Sequence, residues 1–178
     1  KEIQAVRAQL ICLHNLADAH RCLHEYPNAL RYYKRAFSLA QDIGDRRLEA
    51  VIHGKLLLVD IATVPKREHF IALEKICQMC VELQLPQAGH FYFYLARERF
   101  QHNDISSFLT FFHKGKEIVK EIPEYLGMYL SLEGLYKHQK GESVQDILQS
   151  IQKIIDQLQV LPSSELAQAQ KYLLEKIE

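Results

Sequence analysis

The sequence predicts an all-α protein, an array of about nine helices laid out as antiparallel hairpins in series. Three observations predict it. Apolar residues recur with helical periodicity almost end to end, and no segment shows sustained period-two alternation with β-branched enrichment. Five prolines stand at Pro27, Pro65, Pro86, Pro123 and Pro162, with three of the four gaps nearly equal and the second about half as long. A two-helix repeat produces such spacing, since proline is tolerated in the first turn of a helix. Finally, residues 16–36, LADAHRCLHEYPNALRYYKRA, overlay residues 95–115, LARERFQHNDISSFLTFFHKG, without a gap. That displacement is two repeat units. It sets Ala17 on Ala96, Tyr26 on Ile105, Leu30 on Leu109, Tyr33 on Phe112 and Ala36 on Gly115. Small residues suit the close crossing within a hairpin, and large apolar ones the space between hairpins.

Each element has its own signal. The first helix covers about Glu2–Glu25, with Ile3, Val6, Leu10, Leu13, Leu16, Ala17 and Leu23 along one side. The second opens at Pro27 and stops before Ile43-Gly44-Asp45, where glycine supplies a left-handed C-terminal turn. The third spans about 46–62 and is broken by Thr63-Val64-Pro65. The fourth runs to Leu85, and Pro86 opens the fifth. His102-Asn103-Asp104 is turn chemistry, with Asp104 the N-cap of the sixth. Pro123 opens the seventh, which ends at Lys140-Gly141; Ser143 or Glu142 caps the eighth, and Pro162-Ser163-Ser164-Glu165 starts the ninth. Connections of roughly two to six residues make each helix antiparallel to its neighbour. The units are about 1–44, 45–85, 86–122 and 123–160, with a terminal helix over 162–178, in a single repeat domain.

Composition narrows the function classes. The chain has 178 residues, 48% hydrophobic and 25% charged, which is ordinary for a folded domain. Lys plus Arg equals Asp plus Glu at 22 each, leaving no basic field for a nucleic-acid backbone. No apolar run reaches the ~18 residues of a membrane span, and no signal-peptide pattern is present. Four cysteines without regular spacing fit a reducing, cytoplasmic setting. The first residue, Lys1, is not Met, which reads as a fragment of a longer protein.

Residues 15–36 resemble a tetratricopeptide repeat, whose pattern places Leu-Gly or Leu-Ala in helix A and Ala, an aromatic and Ala in helix B. Here these are Leu16-Ala17, then Tyr26, Ala29, Tyr33 and Ala36. His20 stands where an aromatic is usual, Gln41 where the closing proline is usual, and Phe108 in the third unit where a small residue is usual. The resemblance implies a right-handed superhelical array with a concave, ligand-binding groove. A narrower resemblance covers most of the chain. ALRYYKRAFSLAQDIGDRRLEA, FYFYLARERFQHNDISSFLTFFHKGKEIVKEI and YLGMYLSLEGLYKHQKGE are similar in order and spacing to the C-terminal repeats of the Rap family. These are bacillar response-regulator aspartate phosphatases and related peptide-sensing quorum regulators. The resemblance implies a receptor for a short signalling peptide, with the catalytic surface in an N-terminal bundle to which nothing here corresponds. It also implies that groove asparagines hydrogen-bond the peptide main chain, a role that falls on Asn15, with Asp18 placed to take a cationic peptide group.

Helical spacing then sets the groove candidates. His14, Asn15, Asp18, Arg21 and Cys22 share a face of the first helix, and His90, Tyr94, Arg97 and Gln101 share one two units on. Mixed polar and aromatic side chains suit an extended peptide, pairing its main chain and covering its side chains. The alternatives are a constitutive protein-interaction scaffold and the sensor of a peptide-regulated transcription factor.

Other constellations read as structure. Cys77-Gln78-Met79-Cys80 lies mid-helix in the stripe Leu73, Ile76, Cys77, Cys80, without the second ligand pair of a zinc site or the helix N-terminus of a redox site. His20 and His24 have i, i+4 spacing but no third metal ligand. In HFYFYLARERF, Phe91, Leu95 and Phe100 form core and leave Tyr94 or Tyr92 toward the groove or rim. Gly54, Gly127 and Gly134 inside helices mark close helix crossings, and Glu133 with Lys137 is an i, i+4 surface pair. No nucleophile elbow, phosphate loop, dinucleotide fingerprint or kinase signature occurs, so no enzymatic activity, cofactor or metal is expected.

Overall fold

The computed structural model describes residues 2–177, with side chains from Gln4 onward. Lys1, Glu178 and the side chain of Ile3, expected on the first apolar stripe, lie outside the described residues. Among the described residues the chain forms nine α-helices and no strand. They are α1 (Glu2–Cys22), α2 (Tyr26–Asp42), α3 (Arg46–Thr63), α4 (Arg67–Glu82), α5 (Gln87–Gln101), α6 (Ile105–Val119), α7 (Pro123–Gln139), α8 (Gln145–Leu158) and α9 (Glu165–Ile177). Two compact units divide at Ala88/Gly89, in the first turn of α5.

The boundaries have local causes. Pro27 and Pro123 sit in the first turns of α2 and α7, as the sequence predicts. Pro65, Pro86 and Pro162 instead lie just ahead of α4, α5 and α9, where each stops the chain from being helical earlier. Asp104 caps α6 by accepting from Ser107 N–H at 3.1 Å, and Asp45 caps α3 by accepting from Leu48 N–H at 3.1 Å. Gly44 takes the left-handed conformation, φ +66°, after α2. One cap differs from expectation: Val144 holds the N-cap of α8, and Ser143 Oγ only accepts a long 3.5 Å bond from Gln145 N–H. Ser164 Oγ accepts from Ala167 N–H at 3.1 Å and so starts α9.

In the first unit, α1 and α2 form a hairpin on small residues. Ala17, Ala29, Ala36 and Ala40 are buried around Tyr33 and Leu10, with Ile52 and Val59 of α3 joining the same core. Arg7 reaches Asp45 at 3.1 Å and Asp18 reaches Lys55 at 3.3 Å, so α3 runs parallel to α1. Arg47 at the start of α3 donates to the Leu83 carbonyl after α4 at 2.6 Å, which makes α3 and α4 antiparallel. Leu16, placed on the apolar stripe by periodicity, is 42% exposed, and Leu23 is more so. No helix among the described residues covers that side of α1.

In the second unit α5 and α6 are antiparallel: Gly89 meets Val119, and Phe100 meets Phe108. Phe112 and Gly115, the counterparts of Tyr33 and Ala36, are buried like them. Glycine is required at 115 because the ring of Tyr129 crosses there, its Cζ 2.6 Å from where a Cβ would stand. The Tyr129 hydroxyl continues past it to donate to the Gly89 carbonyl at 2.8 Å. Gly127 and Gly134 of α7 seat Leu166 and Leu173 of α9. The two pairs share one sequence separation, so α7 and α9 are parallel and one repeat step divides them. Ring contacts of His90 with Tyr125, Phe93 with Tyr129 and Phe100 with Tyr136 make α5 parallel to α7 as well.

Candidate functional site

The two groups of groove candidates fall in separate units. In the first unit, His14, Asp18 and Arg21 come together around one carboxylate. Tyr33 donates its hydroxyl to Asp18 Oδ1. Lys55 Nζ lies 3.3 Å and Arg21 Nε 3.7 Å from the same oxygen, and His14 Nε2 lies 3.4 Å from Oδ2. Arg21 and Lys55 are almost wholly buried. Burial alone would raise the Asp18 carboxyl, but Lys55, then His14, the Tyr33 hydroxyl and Arg21 outweigh it and hold the group below its ordinary range. Burial lowers His14, opposed by Asp18 and reinforced by Lys55 and Arg21. Burial and Asp18 push the Tyr33 phenol up, so it remains a donor. Asp18 is thus turned to internal cations, and the cluster joins α1, α2 and α3. Asn15 is exposed on α1 without a hydrogen-bond partner among the described residues, and Cys22 is half-buried.

In the second unit the α5 face fronts a cavity of about 220 Å³. Phe93, Tyr94, Arg97 and Gln101 line it from α5; Met128, Ser131, Leu132 and Leu135 from α7; Glu165, Gln168, Ala169 and Tyr172 from α9. His90, expected on the same open face, is instead fully buried beneath it, its ring stacked on Tyr125 at 4.7 Å and 14°. Its Nε2 donates to Glu165 Oε2 at 2.9 Å, while the Tyr94 hydroxyl donates to Glu165 Oε1. Both oxygens of the carboxylate in the cavity lining are therefore engaged. Arg97 is different. Its guanidinium lies over the Tyr94 ring at 4.8 Å and near Phe93 at 5.9 Å, with no carboxylate or hydrogen-bond acceptor among the described residues.

The remaining constellations are structural. Cys77 and Cys80 are buried free thiols in the α4 stripe; burial pushes Cys80 up to about 11 and Cys77 higher still. His20 pairs with Glu25 at 2.6 Å and stacks on Tyr32, whereas His24 meets the Tyr26 hydroxyl, so the two imidazoles have separate partners. Phe91 and Leu95 are core; Tyr92 packs on Phe111, so of the two tyrosines Tyr94 is the one at the cavity. Glu133 pairs chiefly with Lys116 of α6, at 2.6 Å, and only loosely with Lys137 at 4.0 Å. Among the described residues no group of three or more His, Cys, Asp or Glu could hold a metal, and no helix is long and apolar enough to cross a membrane.

Sequence reasoning missed Lys55 and Glu165. Lys55 had a signal: it is a lone cation inside the apolar run VIHGKLLLVDIA. Glu165 had none, because an acidic residue in a first turn is ordinary dipole chemistry. The chain matches no protein-family model, and no curated protein matches it.

Proposed function

We propose that this chain is a peptide-binding regulatory repeat domain, with the α5–α7–α9 face as its receptor surface. In this reading the array is tetratricopeptide-like and acts as the sensor of a Rap-like regulator. One observation carries it: three parallel helices, stepped by repeat lengths, front a single cavity whose cation, Arg97, has no acidic partner among the described residues. A face built of successive helices contacts an extended chain at several points, and its aromatic, amide and cationic groups match main chain and side chains alike. A ligand touching all three helices favours the arrangement in which they stand at that spacing, and an attached effector is released or captured accordingly. Asn15 belongs to the first unit and is not among the residues that line this face.

The test is the melting temperature of the protein against pools of penta- to heptapeptides, with Arg97→Gln, which is expected to shrink the rise, in parallel. Binding only the folded state at ~100 times Kd adds about 2.7 kcal/mol, a shift of several degrees for a chain of this size. A rise with selected pools supports the sensor. No rise with any pool, in a protein that responds only to a folded partner, would replace it with a permanent scaffold.

A further inference from the structure

We infer that the α5–α7–α9 cavity binds a free α-amino acid with an apolar side chain, its carboxylate on Arg97 and its ammonium on Glu165. This goes beyond the peptide reading, since the ligand is a small molecule whose binding holds or fails by its own test.

Charge comes first. Arg97 and Glu165 both line the cavity, one from α5 and the other from α9, and they are not ion-paired with each other. Tyr94 spans them. Its ring lies under the Arg97 guanidinium at 4.8 Å, and its hydroxyl donates to Glu165 Oε1. The opposite charges thus stand at the two ends of one phenol, a gap that an ammonium and a carboxylate on a single Cα can bridge. His90 donates to Glu165 Oε2 at 2.9 Å and steadies the carboxylate. An ionised carboxylate has about four acceptor sites, so two donors do not exhaust it.

A ligand entering between these groups has to answer both. A simple anion would meet repulsion from Glu165, and a simple cation repulsion from Arg97. A neutral apolar molecule would strip water from both charges and return no hydrogen bond. A zwitterion pairs with each, and two charge-assisted contacts at its opposite ends fix its orientation.

Size and lining narrow the class. At about 220 Å³ the cavity is below the roughly 300–1,000 Å³ of sites that enclose drug-sized ligands, and it suits a molecule of amino-acid size. Phe93, Met128, Leu132 and Leu135 supply its apolar lining. A branched aliphatic side chain seated on them leaves water for apolar surroundings, which favours entry.

The experiment titrates the full chain calorimetrically with leucine and three relatives. Isocaproate keeps leucine's skeleton without the ammonium, leucinamide lacks the carboxylate charge, and a tripeptide beginning with leucine lacks it at that residue. Leucine is expected to bind, and each relative roughly ten-fold or more weakly, the scale of a lost charge-assisted bond. Arg97→Gln is expected to level leucine with leucinamide, and Glu165→Gln to level leucine with isocaproate. Should Glu165→Gln fail to fold, isocaproate against the unmodified protein still tests that carboxylate. Isocaproate equal to leucine would overturn the ammonium assignment. Leucinamide or the tripeptide equal to leucine would overturn the free amino acid in favour of a peptide's first residue. No heat with any of the four would overturn the site, while the peptide reading keeps its separate melting-temperature test.

Discussion

Leu166 of α9 packs its Cδ1 into the space left by the missing side chain of Gly127 on α7, and Leu173 repeats the contact on Gly134. The same step taken twice fixes α9 in register as one more helix of the array. It also makes α9 the third wall of the cavity. Glu165, Gln168, Ala169 and Tyr172 are its contribution to the lining.

Leu173 is wholly buried, so Leu173→Ala is expected to cost about 2–5 kcal/mol. The loss should fall on α9 first. Limited proteolysis is expected to cut between Val160 and Ser164 well before the core of the second unit unfolds. Cleavage spread evenly over the unit would contradict this packing.

The glycines should differ in tolerance. Gly127→Ala meets only the flexible end of Leu166, and alanine gains back about 1 kcal/mol of helix propensity, so the net change is expected within ~1 kcal/mol. Gly115→Ala meets the ring of Tyr129 and the Cβ of Tyr92, and would displace the hydroxyl bonded to Gly89. Overpacking of this kind costs about 1–3 kcal/mol. Urea unfolding of the two variants, with Gly115→Ala/Tyr129→Phe as a double mutant, measures the contrast. Removing the hydroxyl is expected to recover part of the loss.

Asp18→Asn leaves Lys55 and Arg21 buried without their carboxylate. Breaking a buried pair costs about 3–5 kcal/mol, and the 30% exposure of the Asp18 side chain points to the lower end. Adding Lys55→Met should restore much of it. A fully additive double mutant would mean that Asp18 and Lys55 do not depend on each other.

The same cluster sets a pH dependence. The folded-state value of Asp18 is depressed, so its contribution is fully present above the ordinary 3.8 and is lost as pH falls through the lower folded value. His14 is also depressed from 6.5, so the unfolded chain binds its proton first and stability begins to fall below about 6.5. Both slopes have the same sign. Denaturant midpoints measured from neutral to acid pH should decline in two stages, and His14→Gln should remove the upper one.

Much of this architecture is legible in the sequence because its signals are local and repeated. Ala17 and Ala96, Tyr33 and Phe112, and Ala36 and Gly115 are buried in pairs, as the internal overlay implies. Leu16 and Leu95 diverge, since periodicity reports a helix face but not whether a neighbour covers it. The α5 face was legible as a set, yet its surroundings were not. His90 looks like an exposed polar residue until Tyr125 and Glu165, from two later helices, close over it. Asp18 likewise reads as an open carboxylate until Lys55 arrives from α3.

Hydrogen–deuterium exchange with and without a binding hexapeptide pool tests the central claim most directly. The account predicts slowed exchange in residues 90–101, 126–136 and 165–173 together, the three parallel helices around the cavity. Protection confined to other segments, or none at saturating peptide, would contradict it.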